Sequence, residues 1–510
     1  QPPGRVWFFS KVSRASQGCH GENRRPSERL RAMKMSPFSC EEVAQAVGGR
    51  LRSPAKKQVL TGVSTDSRNL GRQDLFVALR GPLHDAHRFI RPEMQPLPGG
   101  VVVEEGRIPP SMSLPMIEVE DTRRALGDLA QWYRSLFQIP IIGITGSNGK
   151  TSTKAFLHAA LSHHGVTESS PASFNNDIGV PLTLCRLNSK CEYLVVEIGT
   201  NHPGEIAHLS HMARPTHGIV TSIGGSHLGH FGSLDAIERE KGALAESLSE
   251  SGWLFLNGDC PKTSRLGART KARVVSVGTR PGMTFQIDAI SVDAKGTSFA
   301  VYAAGFDVSE QVRLPVPGRH QAINAGLAFA AGVCLGADPK MLSRGLEEAS
   351  LPGMRMAHTT VGSLSIWNDA YNANEDSSIA AMETFEQVSE SHRRKVCVLG
   401  ELMELGDHAE GVYQRLGMEA VKRSFDCCVA IGQGTYPWFE TIHESSSQIE
   451  THFFESTSQA VSDFSQWVRP DDQWLMKASR GAHLEELLPA LKSHSTVTDQ
   501  ETQPRLPLSS

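Results

Sequence analysis

Short apolar runs alternate along the chain with longer segments in which apolar residues recur at helical spacing. This alternation predicts parallel strands joined by helices, because a parallel sheet is covered by helices on both faces. The pattern restarts near residue 352, which indicates two successive parallel sheets. Before residue 352 the predicted buried strands are YLVVEIGT, HGIVTSIGG and GWLFLNGD, and after it they are LSIWND, KVCVLG, CCVAIG and WLMKAS.

Two parts of the chain depart from this pattern. From Ser39 to about residue 136 the elements are short and mixed: a helix CEEVAQAV, the segments VLTGVSTDSRNL and DLFVALRG, and a strand VVVEE. Residues 284–303 alternate between apolar and polar positions, which predicts an antiparallel addition to the central sheet. We therefore predict a three-domain α/β protein. Its predicted parts are a small mixed α/β domain at 35–136, a central parallel-sheet domain at 137–351 and a Rossmann-like domain at 352–493.

The two ends of the chain differ from its body in composition. Residues 1–34 carry eight Lys or Arg against two Asp or Glu, with too few apolar residues for the core of a signal peptide. We predict a disordered extension there, or translated upstream sequence ahead of a start at Met33 or Met35, and expect it to be dispensable. A basic arm that binds nucleic acid is the alternative. Residues 494–510, rich in Ser, Thr, Gln and Pro, are also predicted to be disordered.

Composition and charge limit the classes of function. The chain is 39% hydrophobic and 21% charged, and no run of about 18 apolar residues is present to span a membrane. Its net charge of −4 becomes −10 without the first 34 residues, and this negative charge does not favour binding to nucleic acid. The nine cysteines are scattered without a CxxC pair, which favours reduced thiols over disulfides or a zinc site. We therefore expect a cytoplasmic monomer with neither nucleic acid nor membrane as a partner.

The stretch GITGSNGKTSTK lies between a predicted strand and a predicted helix. Gly146 and Gly149 allow the backbone to turn its amide groups inward around phosphate oxygens. Lys150 supplies a cation for the β- and γ-phosphates of a nucleotide, and the hydroxyl of Thr151 can ligate Mg²⁺. The spacing is not a strict GxxxxGK[ST], since residue 144 is isoleucine. We predict a phosphate-binding loop, with a glycine-rich turn that binds nothing as the alternative.

Four further side chains follow buried strands or lie on nearby helices. Glu197 ends the strand in YLVVEIGT, where a carboxylate can hold the metal of a phosphate loop, although a strand-end Glu is often a surface residue. His227 and His230 lie in the loop SHLGHFGS, and loop histidines are usually solvated. Lys241, in AIEREKGALAESL, has the pattern of one charge on a solvated helical face. From the residues alone, only Glu197 is favoured as a metal ligand.

Several motifs, in order along the chain, resemble those of the Mur ligases. TGSNGKTS resembles the ATP loop of that family, and VSTDSRNL with DLFVALRGPLHDAHRFI resembles its uridine-nucleotide domain. FNNDIGVPLTL, NDAYNAN and VLGELMELGDH resemble the branch of the family that adds D-alanyl-D-alanine. The sequence shows no DNPR-type motif, which is usual in the branch that adds an amino acid. The resemblance extends from about residue 36 to residue 490.

This resemblance implies an ATP-dependent ligase of peptidoglycan precursor synthesis, with ATP and Mg²⁺ as cofactors. A carboxylate of UDP-N-acetylmuramoyl-tripeptide (UDP-MurNAc-tripeptide) would attack the γ-phosphate of ATP to give an acyl phosphate. The amine of D-alanyl-D-alanine (D-Ala-D-Ala) would then attack that carbonyl and form the amide. Three alternatives remain open: an amide ligase that adds a single amino acid, of the Mur or folylpolyglutamate type; a P-loop NTPase that uses hydrolysis for motion; and a binding scaffold without catalysis.

The resemblance also implies roles for individual residues. Lys241 would be carbamylated, and so become a carboxylate associated with the metal. The adenine-side segment PGRHQAINAGLAFAAG adds His320 as a further candidate, and Gln321 departs from the Asn usual in the family. The predicted ATP-binding residues are Gly146, Ser147, Asn148, Gly149, Lys150, Thr151, Ser152, Asn324, Arg355 and Asp369. The predicted catalytic residues are Lys150, Lys241, His227 and Arg355, and the predicted metal ligands are Thr151, Glu197, His227 and Lys241. The predicted substrate-binding residues are Ser67, Arg68, Asn175 and Asn176, which would contact the nucleotide–sugar, and Tyr371 and Asn374, which would face the incoming dipeptide. Among the ATP-binding residues, Asp369 would contact the ribose.

Overall fold

Three β-sheets, one within each predicted domain, confirm the α/β class. The computed structural model describes residues 35–52, 58–107, 114–423 and 425–492, so the predicted disordered ends at 1–34 and 494–510 lie outside the described residues. Contacts divide the chain into two units. The first holds the residues up to 141 with 166–196 and 209–214, and the second holds 142–165, 197–208 and the residues from 215 onward.

The elements follow the predicted order. Up to residue 135 they are strands β1 (Arg50–Arg52), β2 (Gly62–Ser64), β3 (Asp74–Val77), β4 (Gly100–Glu104) and β5 (Met116–Val119), with helices α1 (Cys40–Ala46) and α2 (Thr122–Ser135). The next strands are β6 (Ile141–Thr145), β7 (Thr167–Ser169), β8 (Tyr193–Glu197), β9 (His217–Val220), β10 (Trp253–Asn257), β11 (Arg273–Gly278), β12 (Phe285–Asp293), β13 (Gly296–Ala303) and β14 (Val308–Leu314). The helices of that stretch are α3 (Lys150–Ser162), α4 (Gly179–Leu184), α5 (Glu205–Ala213), α6 (Leu228–Phe231), α7 (Leu234–Glu246), α8 (Pro261–Arg265), α9 (Arg319–Cys334) and α10 (Pro339–Glu347). The last strands are β15 (Ala357–Val361), β16 (Leu364–Asp369), β17 (Lys395–Gly400), β18 (Cys427–Ile431), β19 (Glu450–Phe454) and β20 (Gln473–Lys477), with helices α11 (Glu375–Val388), α12 (Ala409–Lys422), α13 (Tyr436–Ser445), α14 (Thr457–Ser462) and α15 (Phe464–Trp467).

The first unit contains a five-stranded sheet in the order β1-β5-β4-β3-β2, in which β1 alone runs antiparallel. Its core includes the buried side chains of Phe76, Val101 and Val103. Helix α1 begins with a capping box, because Ser39 accepts a hydrogen bond from the amide of Glu42 and the Glu42 carboxylate accepts one from the amide of Ser39. The apolar VVV run is the local signal that located β4 in the sequence, and the cap fixes the start of α1.

In the second unit, neighbouring strands follow the order β14-β13-β12-β11-β10-β9-β6. The strands from β6 to β12 are parallel, and β12, β13 and β14 form an antiparallel meander. The antiparallel prediction for residues 284–303 is therefore confirmed. Helix α9 is buried over most of its length, as its Ala-rich sequence requires.

The last sheet, also in the second unit, has the order β15-β16-β20-β17-β18-β19. Every neighbouring pair is parallel except β15 with β16, so the doubly wound pattern predicted from the sequence is confirmed. Two hydrophobic clusters form around buried tryptophans, Trp438 in one cluster and Trp474 in the other. Because β16, β20 and β17 are adjacent and parallel, the residues at their carboxyl ends lie along one edge of this sheet, where ligands bind in such folds.

The eight cysteines of the described residues are free, and Cys40, Cys397, Cys427 and Cys428 are among those that belong to the buried cores. Among the described helices, none combines the length and the apolar character that crossing a membrane requires.

Candidate active site

The predicted phosphate loop connects β6 to α3. Gly146 and Gly149 have φ angles of 151° and 84°, which disfavour any residue with a side chain. A Cβ at Gly146 would collide with the hydroxyl of Thr221, and one at Gly149 would collide with the side-chain amide of Asn324. Both glycines are therefore needed for the conformation of the loop. The loop leads into the N-terminus of α3, where free backbone amides and the helix dipole favour an anion.

Hydrogen bonds to the segment after β9 hold this loop in place. The amide of Ser147 donates to the carbonyl of Ser222 at 2.8 Å, and its hydroxyl donates to the carbonyl of Gly224 at 2.9 Å. The amide of Asn148 donates to the Ser222 hydroxyl at 2.9 Å. The Thr221 hydroxyl donates to the carbonyl of Asn148 at 2.5 Å. These four hydrogen bonds fix the conformation of the phosphate loop.

The side chain of Lys150 folds back onto the loop. Its Nζ donates to the carbonyl of Gly146 at 2.6 Å and lies 3.4 Å from the carbonyl of Ser147. Desolvation lowers the pKa of Lys150, while the carboxylate of Glu197 opposes that shift. The cation therefore lies at the predicted phosphate site and is held by weak neutral acceptors that a phosphate can replace.

A carboxylate and a hydroxyl meet beneath the loop. The Thr151 hydroxyl donates to Oε1 of Glu197 at 3.2 Å, and Glu197 Oε2 is 3.1 Å from Nζ of Lys154. Glu197 is only 1% exposed, so the interpretation of this residue as a surface group is wrong. Oxygen donors of this kind suit Mg²⁺, and the structure brings together the two ligands predicted from separate motifs. Lys154 was missed in the sequence, although its i+3 spacing from Thr151 places it on the same helical face.

Lys241 is buried, with 2% of its surface exposed. The interpretation of Lys241 as a charge on a solvated face is therefore wrong. Ile237 and Leu244, four residues before and three residues after it, are buried on the same face of α7. Burial and the nearby cation of Lys150 lower the pKa of Lys241 well below its usual value. Among the described residues no carboxylate forms an ion pair with this amine, and the adjacent Glu240 accepts hydrogen bonds from other groups.

His227 is not a solvated loop residue, because its side chain is 16% exposed and its Nδ1 contacts the carboxylate of Glu404 within ion-pair distance. His230, by contrast, is exposed. Both His227 and Glu404 have left-handed backbones, with φ angles of 58° and 69°. The close contact with the His227 imidazole lowers the pKa of Glu404. Glu404 was missed in the sequence as a single residue, although it lies in the quoted motif VLGELMELGDH.

Arg355 brings a second cation toward the loop. Its guanidinium carbon lies 4.1 Å from the ring centroid of Tyr371, which is a cation–π contact. The buried Nε of Arg355 has no hydrogen-bond partner among the described residues. Arg355 also contributes to the lowered pKa of Lys150 and Lys154, which places all three within electrostatic range. This guanidinium therefore has donors free for an anion.

Asp369 ends β16, and its carboxylate is already paired. Its Oδ2 lies 2.9 Å from Nζ of the buried Lys477, and its Oδ1 accepts a hydrogen bond from the amide of Met356 at 3.0 Å. His320 lies within electrostatic range of this pair, and desolvation lowers the pKa of its imidazole. Lys477 is a further residue that the sequence did not reveal. The predicted contact of Asp369 with ribose remains a prediction.

The remaining predicted residues of the second unit also contact the loop or its surroundings. The Asn324 side chain lies against Gly149 and donates to Oε1 of Gln321 at 3.2 Å, so Gln321 positions a predicted ligand. Ser152 is buried in the first turn of α3. The side chain of Asn374, predicted to face the dipeptide, is hydrogen-bonded to Asn148.

The four residues predicted for the nucleotide–sugar lie in the first unit. Ser67 and Arg68 belong to a short 3₁₀ turn at Ser67–Asn69, and the exposed guanidinium of Arg68 makes two hydrogen bonds of 2.9 Å to Asp66. Asn176 accepts a hydrogen bond from the amide of Gly179 at 2.9 Å at the start of α4, next to Asn175 in the chain. Their roles in substrate binding remain predictions.

Two sequence models of protein families match the chain. The Mur ligase middle domain matches residues 144–332, and the Mur ligase, glutamate ligase domain matches residues 354–480. Together these ranges contain the phosphate loop, Glu197, His227, Lys241, Arg355 and Glu404.

Characterised relatives are similar over most of their length. The UDP-N-acetylmuramoyl-tripeptide–D-alanyl-D-alanine ligase of Bacillus subtilis (strain 168) is 33% identical over 454 residues, which cover 88% of this chain and 97% of the relative. The ligase of the same name from Escherichia coli (strain K12) is 32% identical over 448 residues, covering 86% of this chain and 95% of the relative.

Solved structures show the same architecture. A crystal structure of MurF from Acinetobacter baumannii superposes with a TM-score of 0.80 at 29% identity, covering 90% of this chain and 99% of that one. The MurF ligase of Thermotoga maritima in complex with ADP gives a TM-score of 0.72 at 22% identity, covering 86% of this chain and 98% of that one, which shows the shared fold.

Proposed function

Because the chain belongs to the Mur ligase family, we propose that it joins D-Ala-D-Ala to UDP-MurNAc-tripeptide in peptidoglycan precursor synthesis, with the cleavage of ATP. The observation that supports this most directly is the convergence of the phosphate loop, the Thr151–Glu197 pair and the buried Lys241 within one unit. A loop for phosphate, oxygen ligands for a cation and unpaired guanidinium donors are what phosphoryl transfer from ATP requires.

The first half-reaction activates the carboxylate of the tripeptide, which is a poor electrophile as a free anion. Its oxygen attacks the γ-phosphorus of ATP, ADP leaves, and an acyl phosphate forms. The loop amides hold the β- and γ-phosphates. Lys150, released from the carbonyl of Gly146, and Arg355, with its unpaired Nε, stabilise the charge that grows on the transferring group.

Thr151, Glu197 and His227 are the residues that would hold Mg²⁺. The adjacent hydroxyl and carboxylate oxygens of Thr151 and Glu197 fit a hard cation. When bound, Mg²⁺ neutralises charge on the phosphate oxygens. The ammonium of Lys154 balances the buried charge of Glu197 at the carboxylate oxygen that Thr151 does not contact.

Lys241 completes this set as a carbamate. Burial lowers the pKa of its amine and so favours the neutral form, which is the form that attacks CO₂. The reaction releases one proton and leaves a carboxylate on the nitrogen. A bare ammonium at this position would repel both Lys150 and a divalent cation. The carbamate instead supplies a negative oxygen in the site.

In the second half-reaction, the amine of D-Ala-D-Ala attacks the acyl phosphate carbonyl, and inorganic phosphate leaves from the tetrahedral intermediate. The loop from Asp369 to Asn374 binds the dipeptide and holds its amine in line with the carbonyl. Its members Tyr371 and Asn374 contact Arg355 and Asn148 of the ATP site. The enzyme acts as a monomer with domains at 35–136, 137–351 and 352–493, and Ser67, Arg68, Asn175 and Asn176 bind the UDP-linked substrate.

The test is ATP cleavage, measured by phosphate release, with mass spectrometry of the muropeptide product. UDP-MurNAc-tripeptide is supplied in its diaminopimelate and its lysine forms, each with D-Ala-D-Ala, D-alanine or no acceptor. We expect rapid, acceptor-dependent release and a new amide only with the dipeptide. ATP hydrolysis without any muropeptide would instead identify a P-loop NTPase. Efficient addition of meso-diaminopimelate or L-lysine to UDP-MurNAc-dipeptide would identify the ligase of the preceding step.

A further inference from the structure

Two loops of the second unit meet through a histidine and a carboxylate. His227 lies in the loop after β9, within the range of the Mur ligase middle domain, and Glu404 follows β17, within the range of the glutamate ligase domain. Besides the contact between Nδ1 of His227 and the Glu404 carboxylate, the amide of Gly229 donates to the carbonyl of Glu404 at 3.1 Å. A Cβ at Gly229 would lie only 3.0 Å from that carbonyl. The contact is therefore close in both side chain and backbone.

Both partners are held in an unusual backbone conformation. The φ angles of His227 and Glu404 lie in the left-handed region, which residues with a Cβ rarely adopt. Such residues persist where the surrounding structure fixes them, and they concentrate at functional sites. His227 and Glu404 are two such residues, and they contact each other directly.

Two further imidazoles, those of His202 and His230, lie within electrostatic range of the Glu404 carboxylate. Glu404 in turn lies within electrostatic range of Lys150, the cation of the phosphate loop. The His227–Glu404 pair is therefore near the phosphate loop.

We propose that Glu404 is a positioning residue for the metal site. Its carboxylate lies against Nδ1 of His227 and so favours the imidazole tautomer that carries its proton on Nδ1. Nε2 then keeps its lone pair free, and the carboxylate raises the basicity of that nitrogen. A metal site on the middle domain then depends on a carboxylate that the glutamate ligase domain supplies. The inference rests on the proposed role of His227 as a metal ligand.

The test is the affinity of the enzyme–ADP complex for Mn²⁺, measured from the electron paramagnetic resonance signal of free Mn²⁺ with enzyme in excess over ADP. We expect Glu404→Gln, which keeps the shape but loses the charge, to weaken Mn²⁺ binding about 10- to 100-fold, as loss of an outer carboxylate does at metal sites. The affinity for ADP in metal-free buffer should not change. Glu404→Asp, which keeps the charge, should recover part of the Mn²⁺ affinity.

Glu348→Gln is the matched control. The carboxylate of Glu348 contacts Nε2 of His163 at 3.2 Å, and the Glu348 side chain is 70% exposed. The Glu348→Gln variant therefore removes a carboxylate–histidine pair that lies outside the site. This variant should bind Mn²⁺ like the wild type. An equal effect of Glu348→Gln and Glu404→Gln would overturn the inference, since it would reflect charge alone.

A double-mutant cycle with His227→Ala distinguishes the metal role of His227 from the positioning role of Glu404. If Glu404 acts through His227, then Glu404→Gln has no further effect on Mn²⁺ affinity in the His227→Ala protein. Additive effects would show that Glu404 does not act through the histidine. Weakened binding for His227→Ala with wild-type binding for Glu404→Gln would overturn only this inference. Wild-type binding for His227→Ala would overturn the proposed metal site as well.

Discussion

Asn148 and Asn374 exchange hydrogen bonds through their side-chain amides. Nδ2 of Asn374 donates to Oδ1 of Asn148 at 2.8 Å, and Nδ2 of Asn148 donates to Oδ1 of Asn374 at 3.1 Å. Asn148 belongs to the phosphate loop, whereas Asn374 is the N-cap of α11 and is 6% exposed. The pair therefore joins the loop proposed for ATP to the loop proposed for the dipeptide, and we expect a change at one loop to affect the other.

Asn374→Ser should separate this link from the helix cap. Serine still caps α11, so the stability that the cap contributes is retained and only the amide pair is lost. Two hydrogen bonds contribute about 1–2 kcal/mol, so kcat/KM for D-Ala-D-Ala should fall roughly 10-fold. Asn374→Ala, which also removes the cap, should additionally cost about 1 kcal/mol of stability in thermal denaturation. Unchanged kinetics in both variants would show that the pair has no part in acceptor use.

Lys150→Ala should abolish ligation while the fold is retained. The variant removes a cation from the phosphate site, and the loss of transition-state stabilisation is on the order of 10³-fold in rate. The measurement is phosphate release with all three substrates, alongside circular dichroism and thermal denaturation. Lys340→Ala, at an exposed lysine on α10, is the control and should be fully active. Near-normal turnover by a folded Lys150→Ala protein would contradict the assignment of the loop.

Lys241→Ala should be nearly inactive and should still bind ATP, because the phosphate loop is intact. Added acetate should restore part of its activity by supplying the missing carboxylate, and Lys241→Arg should remain inactive. In the wild type, native mass spectrometry should show a gain of one CO₂ that is lost in Lys241→Ala. Full activity of Lys241→Ala, or a wild-type mass without CO₂, would contradict the carbamate.

The parts of the site that were predictable from the sequence are local. Gly146 and Gly149 lie between one strand and one helix, so the strand–turn–helix pattern alone locates the phosphate loop. Lys241 was misinterpreted because the charges around it dominate the helix, although its spacing from Ile237 and Leu244 places it on the buried face. Glu404 was not found, since its partner His227 is distant in the chain and periodicity carries no information on such pairs.

Lys154 and Glu197 form a buried ion pair at 3.1 Å beside the proposed metal site, so we expect stability to depend on metal when this pair is broken. Lys154→Met removes the ammonium and leaves the carboxylate charge buried, which costs about 3 kcal/mol or more in other proteins. In buffer with EDTA, the melting temperature of Lys154→Met should therefore fall by several degrees. Mg²⁺ with ADP should raise it by more than it raises that of the wild type, because the bound cation replaces the lost charge and binding stabilises the folded state. Differential scanning fluorimetry measures both values, with Mg²⁺ alone and ADP alone as controls. If Mg²⁺ with ADP stabilises both proteins equally, Glu197 does not ligate the metal, and Lys154 only balances a structural carboxylate.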